Sequence, residues 1–210
     1  GQLGRMTALA AGKLGYRCHI FCPDANSPAA EVSAAVTVAP YADMDALKTF
    51  GEAVDVVTFE FENIPHESVQ LLTEHAVVRP GWRSLAVAQD RLVEKDFIND
   101  IAPMTPYRRV ESAAELEAAA TEIGKPAVLK TARMGYDGKG QASVAAASEL
   151  LPAWEALGRV PCILESRVAF DREISVIAVR GRDGECRIWP LSENGHAEGI
   201  LRVSRSLVDD

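Results

Sequence analysis

Two spacings of apolar residues take turns along the first ninety positions of the chain. Runs at 16–22, 35–38 and 55–61 are dense in β-branched, aromatic and other apolar residues, as strands are. Between them, 2–14, 43–53 and 67–75 carry the wider spacing of amphipathic helices. In the first of these, Leu3, Met6, Ala10 and Leu14 fall on one face, and Gly15 stands where a C-terminal cap is expected. Helix and strand in turn predict a parallel sheet covered by helices. The segment 84–101 reads as one longer helix, stopped by Pro103 and Pro106. A capping box, Ser112-Ala-Ala-Glu115, then opens a helix running to about Ile123. Strands at 127–131 and 141–145, a helix at 148–157 and a strand at 162–165 predict a compact α+β unit. From Asp171 onward, 173–180, 187–191 and 200–204 read as antiparallel strands, with a hairpin turn at Asp183-Gly184. The fold class is therefore mixed, α/β followed by α+β, with no repeats or low-complexity tracts.

The densest chemistry lies in Pro126-Ala-Val-Leu-Lys130-Thr-Ala-Arg-Met-Gly135-Tyr136-Asp137-Gly138-Lys139-Gly140-Gln141. A lysine at the end of a buried strand is costly unless it meets a negative partner. Glycines at 135, 138 and 140 allow positive φ and a close approach of backbone N–H groups to a ligand. Together they suit a flexible, positive cover over an anion, a nucleotide's phosphates above all. A glycine-rich hairpin turn with exposed lysines would have the same pattern. The loop is not a Walker A motif, which requires G-x-x-x-x-G-K-[ST] between a strand and a helix. A lysine so placed contributes little packing, so Lys130→Ala is expected to leave the fold intact.

Two further groups carry candidate chemistry. Glu60 and Glu62 alternate with Phe59 and Phe61, which puts both carboxylates on one side of a strand near its carboxyl end, either as a ligand site or as a solvated face. Gln2 and Leu3 open a helix, whose N–H groups and dipole favour an anion or polar group.

Net charge is −8 over 210 residues, which argues against nucleic acid or an anionic membrane as the main partner. No apolar run approaches a membrane span, and no secretory signal opens the chain. Cys18, Cys22, Cys162 and Cys186 lack metal-type C-x-x-C spacing. Cys18, Ile20 and Cys22 share one strand face with His19 opposite, and the four cysteines read as buried free thiols of a cytoplasmic protein. His66 and His75 read as positions on a polar helix face.

The strand–loop–strand at 127–145 resembles the lid of ATP-grasp enzymes. Gly1-Gln-Leu-Gly-Arg5-Met, Thr58-Phe-Glu60-Phe-Glu62-Asn63, Asp90-Arg91-Leu92, Glu173-Ile-Ser and Gly199-Ile-Leu-Arg202 then follow the order and spacing of one such family. Over essentially its whole length the chain resembles the 5-(carboxyamino)imidazole ribonucleotide synthase (PurK) family of purine synthesis. The resemblance implies an ATP-grasp fold with a Rossmann-like pre-ATP-grasp domain at 1–90, lacking its first strand, and a linker at 91–110. A lid subdomain at 111–168 and the start of the large antiparallel subdomain at 169–210 complete the division. It implies use of ATP, Mg2+ and bicarbonate to carboxylate the 5-amino group of 5-aminoimidazole ribonucleotide through a carboxyphosphate intermediate, in a homodimer at full length.

Site residues follow from the same likeness. Lys130 would touch the phosphates under the loop of Gly135, Tyr136, Asp137, Gly138, Lys139, Gly140 and Gln141, with Arg91 beside ATP. Glu165, Ser166, Arg167 and Val168 would read the adenine, and Glu173 would grip the ribose hydroxyls. His196 would lie near the nucleotide, although Gly195 and Ala197-Glu198 depart from the family pattern. Gln2, Leu3, Glu60 and Glu62 would meet the ribonucleotide, with Tyr136 and Asp137 reaching its aminoimidazole; catalysis would rest on Lys130, Tyr136 and Asp137. The family's magnesium ligands and substrate-phosphate contacts would lie beyond residue 210, so no metal ligand is expected within the chain. The chain begins without methionine and stops short of its relatives' length. It therefore reads as an internal piece of a longer enzyme, catalytically incomplete and poorly stable alone. Other readings are a related ATP-grasp ligase acting on another ribotide or an amino acid, and a non-catalytic nucleotide-binding module.

Overall fold

The computed structural model describes residues 1–135, 138–197 and 199–208, so Tyr136, Asp137 and Glu198 lie outside the described residues. The chain forms two compact units, Gly1–Phe97 and Ile98–Asp210.

In the first unit α1 (Gln2–Lys13) leads to β1 (His19–Cys22), β2 (Ala35–Val38), α2 (Met44–Glu52), β3 (Val56–Val57), α3 (His66–Leu72), β4 (Val77–Val78), α4 (Trp82–Ala88) and α5 (Arg91–Asn99). β1 pairs with β2 and β3 with β4, both in parallel, as the alternating pattern predicts. Asp43 starts α2 by accepting the Ala46 N–H at 3.0 Å. The core joins Leu47 and Phe50 of α2 to Val57, Val69, Leu72, Val78 and Leu85.

Three expectations change here. The strand expected over 55–61 ends at Val57. The Arg79 N–H still reaches the Val57 carbonyl at 2.9 Å, and the pairing of the two strands stops there. Glu60 and Glu62 consequently sit on a loop past the strand. The single helix expected over 84–101 is two, α4 and α5, divided at Gln89-Asp90. Asp90 causes the break: its carboxylate accepts the N–H of Leu92 at 2.9 Å and of Val93 at 3.4 Å, which is an N-cap. On α1, Leu3, Met6 and Leu14 are exposed, and Ala8 is the buried residue. Small side chains let the helix backbone approach its neighbours, and bulk at Leu3 or Met6 would hold it off. His75 lies beyond the end of α3, its Nδ1 3.8 Å from a Glu52 carboxylate oxygen.

The second unit contains β5 (Tyr107–Val110), α6 (Ala113–Ile123), β6 (Ala127–Thr131), β7 (Gln141–Val144), α7 (Leu150–Ala156) and β8 (Cys162–Ser166). These strands form an antiparallel sheet in the order β5-β8-β6-β7. Side chains alternate across it. Val110, Ala127, Leu129, Val144, Cys162 and Leu164 pack with Leu116, Ala119 and Ala120 of α6 and Leu150 and Trp154 of α7. The other face receives Val128 and Lys130 from β6 and Ile163 and Glu165 from β8. β9 (Glu173–Ser175), β12 (Ser192–Ala197) and β13 (Ile200–Ser206) then form a three-stranded antiparallel sheet. β10 (Ala178–Arg180) and β11 (Cys186–Ile188) make the expected hairpin, with Gly184 at φ +88° in its turn. The strand expected over 173–180 is thus two. β12 has no counterpart among the predicted elements, since Ser192-Glu-Asn-Gly-His-Ala has no apolar alternation.

All four cysteines are free; Cys22 and Cys162 are buried, Cys18 is half-buried, and Cys186 is exposed on its hairpin, contrary to the expectation of four buried thiols. Burial pushes the Cys162 thiol up to about 11. At neutral pH iodoacetamide is therefore expected to label Cys186 first and Cys162 only on unfolding, as peptide mapping would show. Leu164 is fully buried in the four-stranded sheet. Leu164→Ala should cost about 2–5 kcal/mol, measured by chemical denaturation.

Candidate functional site

Sheet register decides the surroundings of the strand-end lysine. Lys130 pairs with Ile163 and Val128 with Glu165, so the Lys130 and Glu165 side chains emerge on the same face of adjacent strands. The Lys130 Nζ donates to Glu165 Oε2 at 2.8 Å. Glu165 is only 5% exposed, and a carboxylate so far from water needs a cation. Removing Lys130 would take away a 2.8 Å partner of a buried carboxylate, so Lys130 supports the fold as well, beyond the expectation that Lys130→Ala leaves it untouched.

Directly after Lys130 the chain enters the glycine loop, whose neck is closed by the Thr131 N–H donating to the Gly140 carbonyl at 2.8 Å. Gly140 has φ +70°, and a Cβ there would lie 2.6 Å from Thr131 Oγ1 and 3.3 Å from the Gly135 Cα. Neither the conformation nor the space admits a side chain. Gly138, at φ +75°, and Lys139 lie on the described limb of the loop. The remaining predicted loop residues, Tyr136 and Asp137, lie outside the described residues.

At the expected adenine segment, the Ser166 and Arg167 N–H groups donate to the carbonyls of Pro106 at 2.9 Å and Pro126 at 3.1 Å. The Ser166 carbonyl accepts from Thr105 Oγ1 at 3.0 Å. These groups tie the segment to the sheet, and Val168 lies exposed beyond it. Further along, pairing of β9 with β12 brings the His196 Nδ1 to 3.3 Å from Glu173 Oε2.

In the first unit, Glu60 reaches the first turn of α1. A Cβ on Gly4 would lie 3.2 Å from Glu60 Oε1 and 3.3 Å from the Ala29 Cβ, and the Gly1 nitrogen is 3.8 Å from the same carboxylate oxygen. Gln2, Leu3 and Glu60 are therefore neighbours, and the second glycine of Gly1-Gln-Leu-Gly4 is what lets the carboxylate in. Glu62 is exposed on the same loop. Burial first, then the Cys22 thiol and the Glu60 carboxylate, hold the Tyr41 phenol above its usual range. Tyr41 was not singled out by sequence, although it follows a parallel strand's carboxyl end, where ligands gather. Arg91 is the first residue of α5 and half-buried.

An ATP-grasp domain model matches residues 97–208, and a ribonucleotide synthetase preATP-grasp domain model matches residues 1–89. The chain belongs to the ATP-grasp family. Within that family it is 45% identical over 205 residues to the N5-carboxyaminoimidazole ribonucleotide synthase of Pseudomonas aeruginosa, covering 97% of this chain and 57% of the relative. The Bacillus subtilis synthase is 39% identical, with 96% and 53% covered. A crystal structure of the ADP complex of PurK superposes with a TM-score of 0.93 at 39% identity, covering all of this chain and 56% of that one. An Aspergillus clavatus synthase in complex with ADP and 5-aminoimidazole ribonucleotide superposes at 0.87 with 25% identity, again covering all of this chain and 56% of that one. The chain spans about half the length of the ATP-grasp relatives it matches.

The ion pair is open to a direct test. Lys130→Met should lower the unfolding free energy by about 3 kcal/mol, and adding Glu165→Gln to it should restore much of the loss. Denaturant titration of the two variants and the parent checks both values.

Proposed function

We propose that the chain supplies the nucleotide- and ribonucleotide-binding parts of an ATP-dependent ligase. The full enzyme would join bicarbonate to the 5-amino group of 5-aminoimidazole ribonucleotide and release ADP and phosphate. One observation carries the reading: Lys130, held by Glu165, stands at the neck of a glycine loop that has no room for a side chain at Gly140. A fixed ammonium beside such a loop fits a polyphosphate. Similarity over the whole chain to synthases solved with ADP, one also with 5-aminoimidazole ribonucleotide, supports the same assignment.

When bound, ATP supplies the phosphoryl group that activates bicarbonate. The chain's own residues bind and shield. Lys130 and Lys139 place positive charge along the loop, and Gly135, Gly138, Gly140 and Gln141 let its backbone close over phosphates and exclude water. Tyr136 and Asp137 belong to this loop and are assigned to the aminoimidazole. Arg91 adds a cation for ATP, the 165–168 segment flanks the adenine, and Glu173 with His196 serves the ribose. Glu60, Glu62, Gln2 and Leu3 form the ribonucleotide side, with Glu60 as its anionic anchor. Among the described residues no group of three or more His, Cys, Asp or Glu could hold a metal ion, and no step is assigned to magnesium. Among the described residues no helix is long and apolar enough to cross a membrane. We take 1–90 as the pre-ATP-grasp domain, 111–168 as the lid and 169–210 as the start of the large subdomain, within a cytoplasmic homodimer.

Ribonucleotide- and bicarbonate-dependent ADP release by the full-length enzyme tests the assignment, and a panel of other ribotides and amino acids separates it from a related ligase. Lys130→Ala should reduce turnover by roughly a hundredfold. Turnover must be scored on the folded fraction, because the ion pair also supports stability. Glu60→Gln should raise the Michaelis constant for the ribonucleotide while ATP affinity stays nearly constant. A fall in ATP affinity with an unchanged ribonucleotide constant would refute the division of roles.

A further inference from the structure

Gln89 is 5% exposed, and a buried amide is costly unless its polar atoms are bonded. Its Nε2 donates to the Glu62 carbonyl at 2.7 Å and to the Ile64 carbonyl. Two carbonyl acceptors fix which end of the amide is nitrogen, and its two hydrogens match them one to one. Both carbonyls belong to the loop that leaves β3, whose ladder stops at Val57. That loop carries Glu60 and Glu62 and has no regular structure to hold it. The amide bonds to the loop just beyond the point where the pairing of β3 stops.

From these bonds we propose that Gln89 is a positioning residue for the ribonucleotide-side carboxylates. By holding the carbonyls at 62 and 64 it fixes the path of the loop, and so the approach of Glu60 to Gly4 on α1. The inference rests on the ribonucleotide reading of Glu60. Arg91, two residues on, depends on a different device, because Asp90 caps α5 through the Leu92 and Val93 N–H groups. Loss of the amide should therefore disturb the ribonucleotide side and spare ATP.

The test uses Gln89→Leu and Gln89→Glu in the full-length enzyme. Gln89→Leu removes both donors at similar volume and should raise the ribonucleotide Michaelis constant roughly tenfold, with the ATP constant within about twofold of the parent. In Gln89→Glu an ionised carboxylate faces two carbonyls and is repelled. Burial and those dipoles raise its pKa, and once protonated it donates to one of them. The ratio of its ribonucleotide constant to the parent's should accordingly fall as pH is lowered, a response that a purely structural position would not give. Equal rises in both Michaelis constants, or an unchanged ribonucleotide constant in folded Gln89→Leu, would overturn the proposal. If the parent shows no ribonucleotide-dependent ADP release, the ligase reading fails instead. Gln89 is then judged by amide exchange over residues 58–65: faster exchange in Gln89→Leu supports the pin, and unchanged exchange overturns it.

Discussion

A carboxylate withdrawn from water must find a positive partner or give up its charge. In the lid that carboxylate is Glu165, and its partner is Lys130 at 2.8 Å. The pairing is set by register: a slip of one residue between β6 and β8 would turn one of the two side chains into the packed layer of Leu129, Leu164, Leu116 and Trp154 and leave the other without it. The ion pair and the hydrophobic layer thus specify the same alignment from opposite faces. An ammonium held this way has lost most of its side-chain freedom before any ligand arrives, so a phosphate that meets it need not order it. Under the proposed function the same pair would carry two duties, and mutants of Lys130 would mix stability with chemistry unless the two are measured apart.

The glycine loop depends on that register as well. Lys130 pairs with Gln141 across the hairpin, and the Thr131 to Gly140 bond closes its neck. Everything between is suspended from two strands whose alignment is already fixed. A base fixed in this way is what a cover would need if it is to close repeatedly on one place.

Much of this was legible in the residues. Strands β6, β7 and β8, the Ser112 cap and the Asp183-Gly184 turn were read nearly at their observed positions, because each has a local cause, whereas β5 was not foreseen. Ser112 accepts the Glu115 N–H at 3.2 Å, although the Glu115 carboxylate takes the Glu111 N–H, one residue earlier than a full capping box would have it. The misses have nonlocal causes. The strand at 55–61 is apolar enough to continue, but its pairing with β4 stops at Val57. The break at Gln89-Asp90 was available from Asp90, a good N-cap residue, yet the helical periodicity on either side masked it. β12 is held by neighbours on both sides and carries almost no apolar pattern of its own. On α1, hydrophobicity pointed to Leu3 and Met6, whereas the backbone approaches its neighbours through Gly4 and Ala8.

The candidate site divides along the same line. Residue types announced Lys130 and Glu60, since a strand-end lysine before glycines and a carboxylate in an aromatic run are locally unusual. The residues that aim them were not legible in that role. Glu165 was expected at the adenine and not as the partner of Lys130, Gly4 entered only within the opening motif, and Gln89 resembled any helix glutamine. Their roles exist only across chain separations of 35 residues for Glu165 and 25 to 27 for Gln89. A group that touches a ligand is constrained by chemistry, which a residue's identity reveals. A group that aims it is constrained by geometry, which only the folded chain contains.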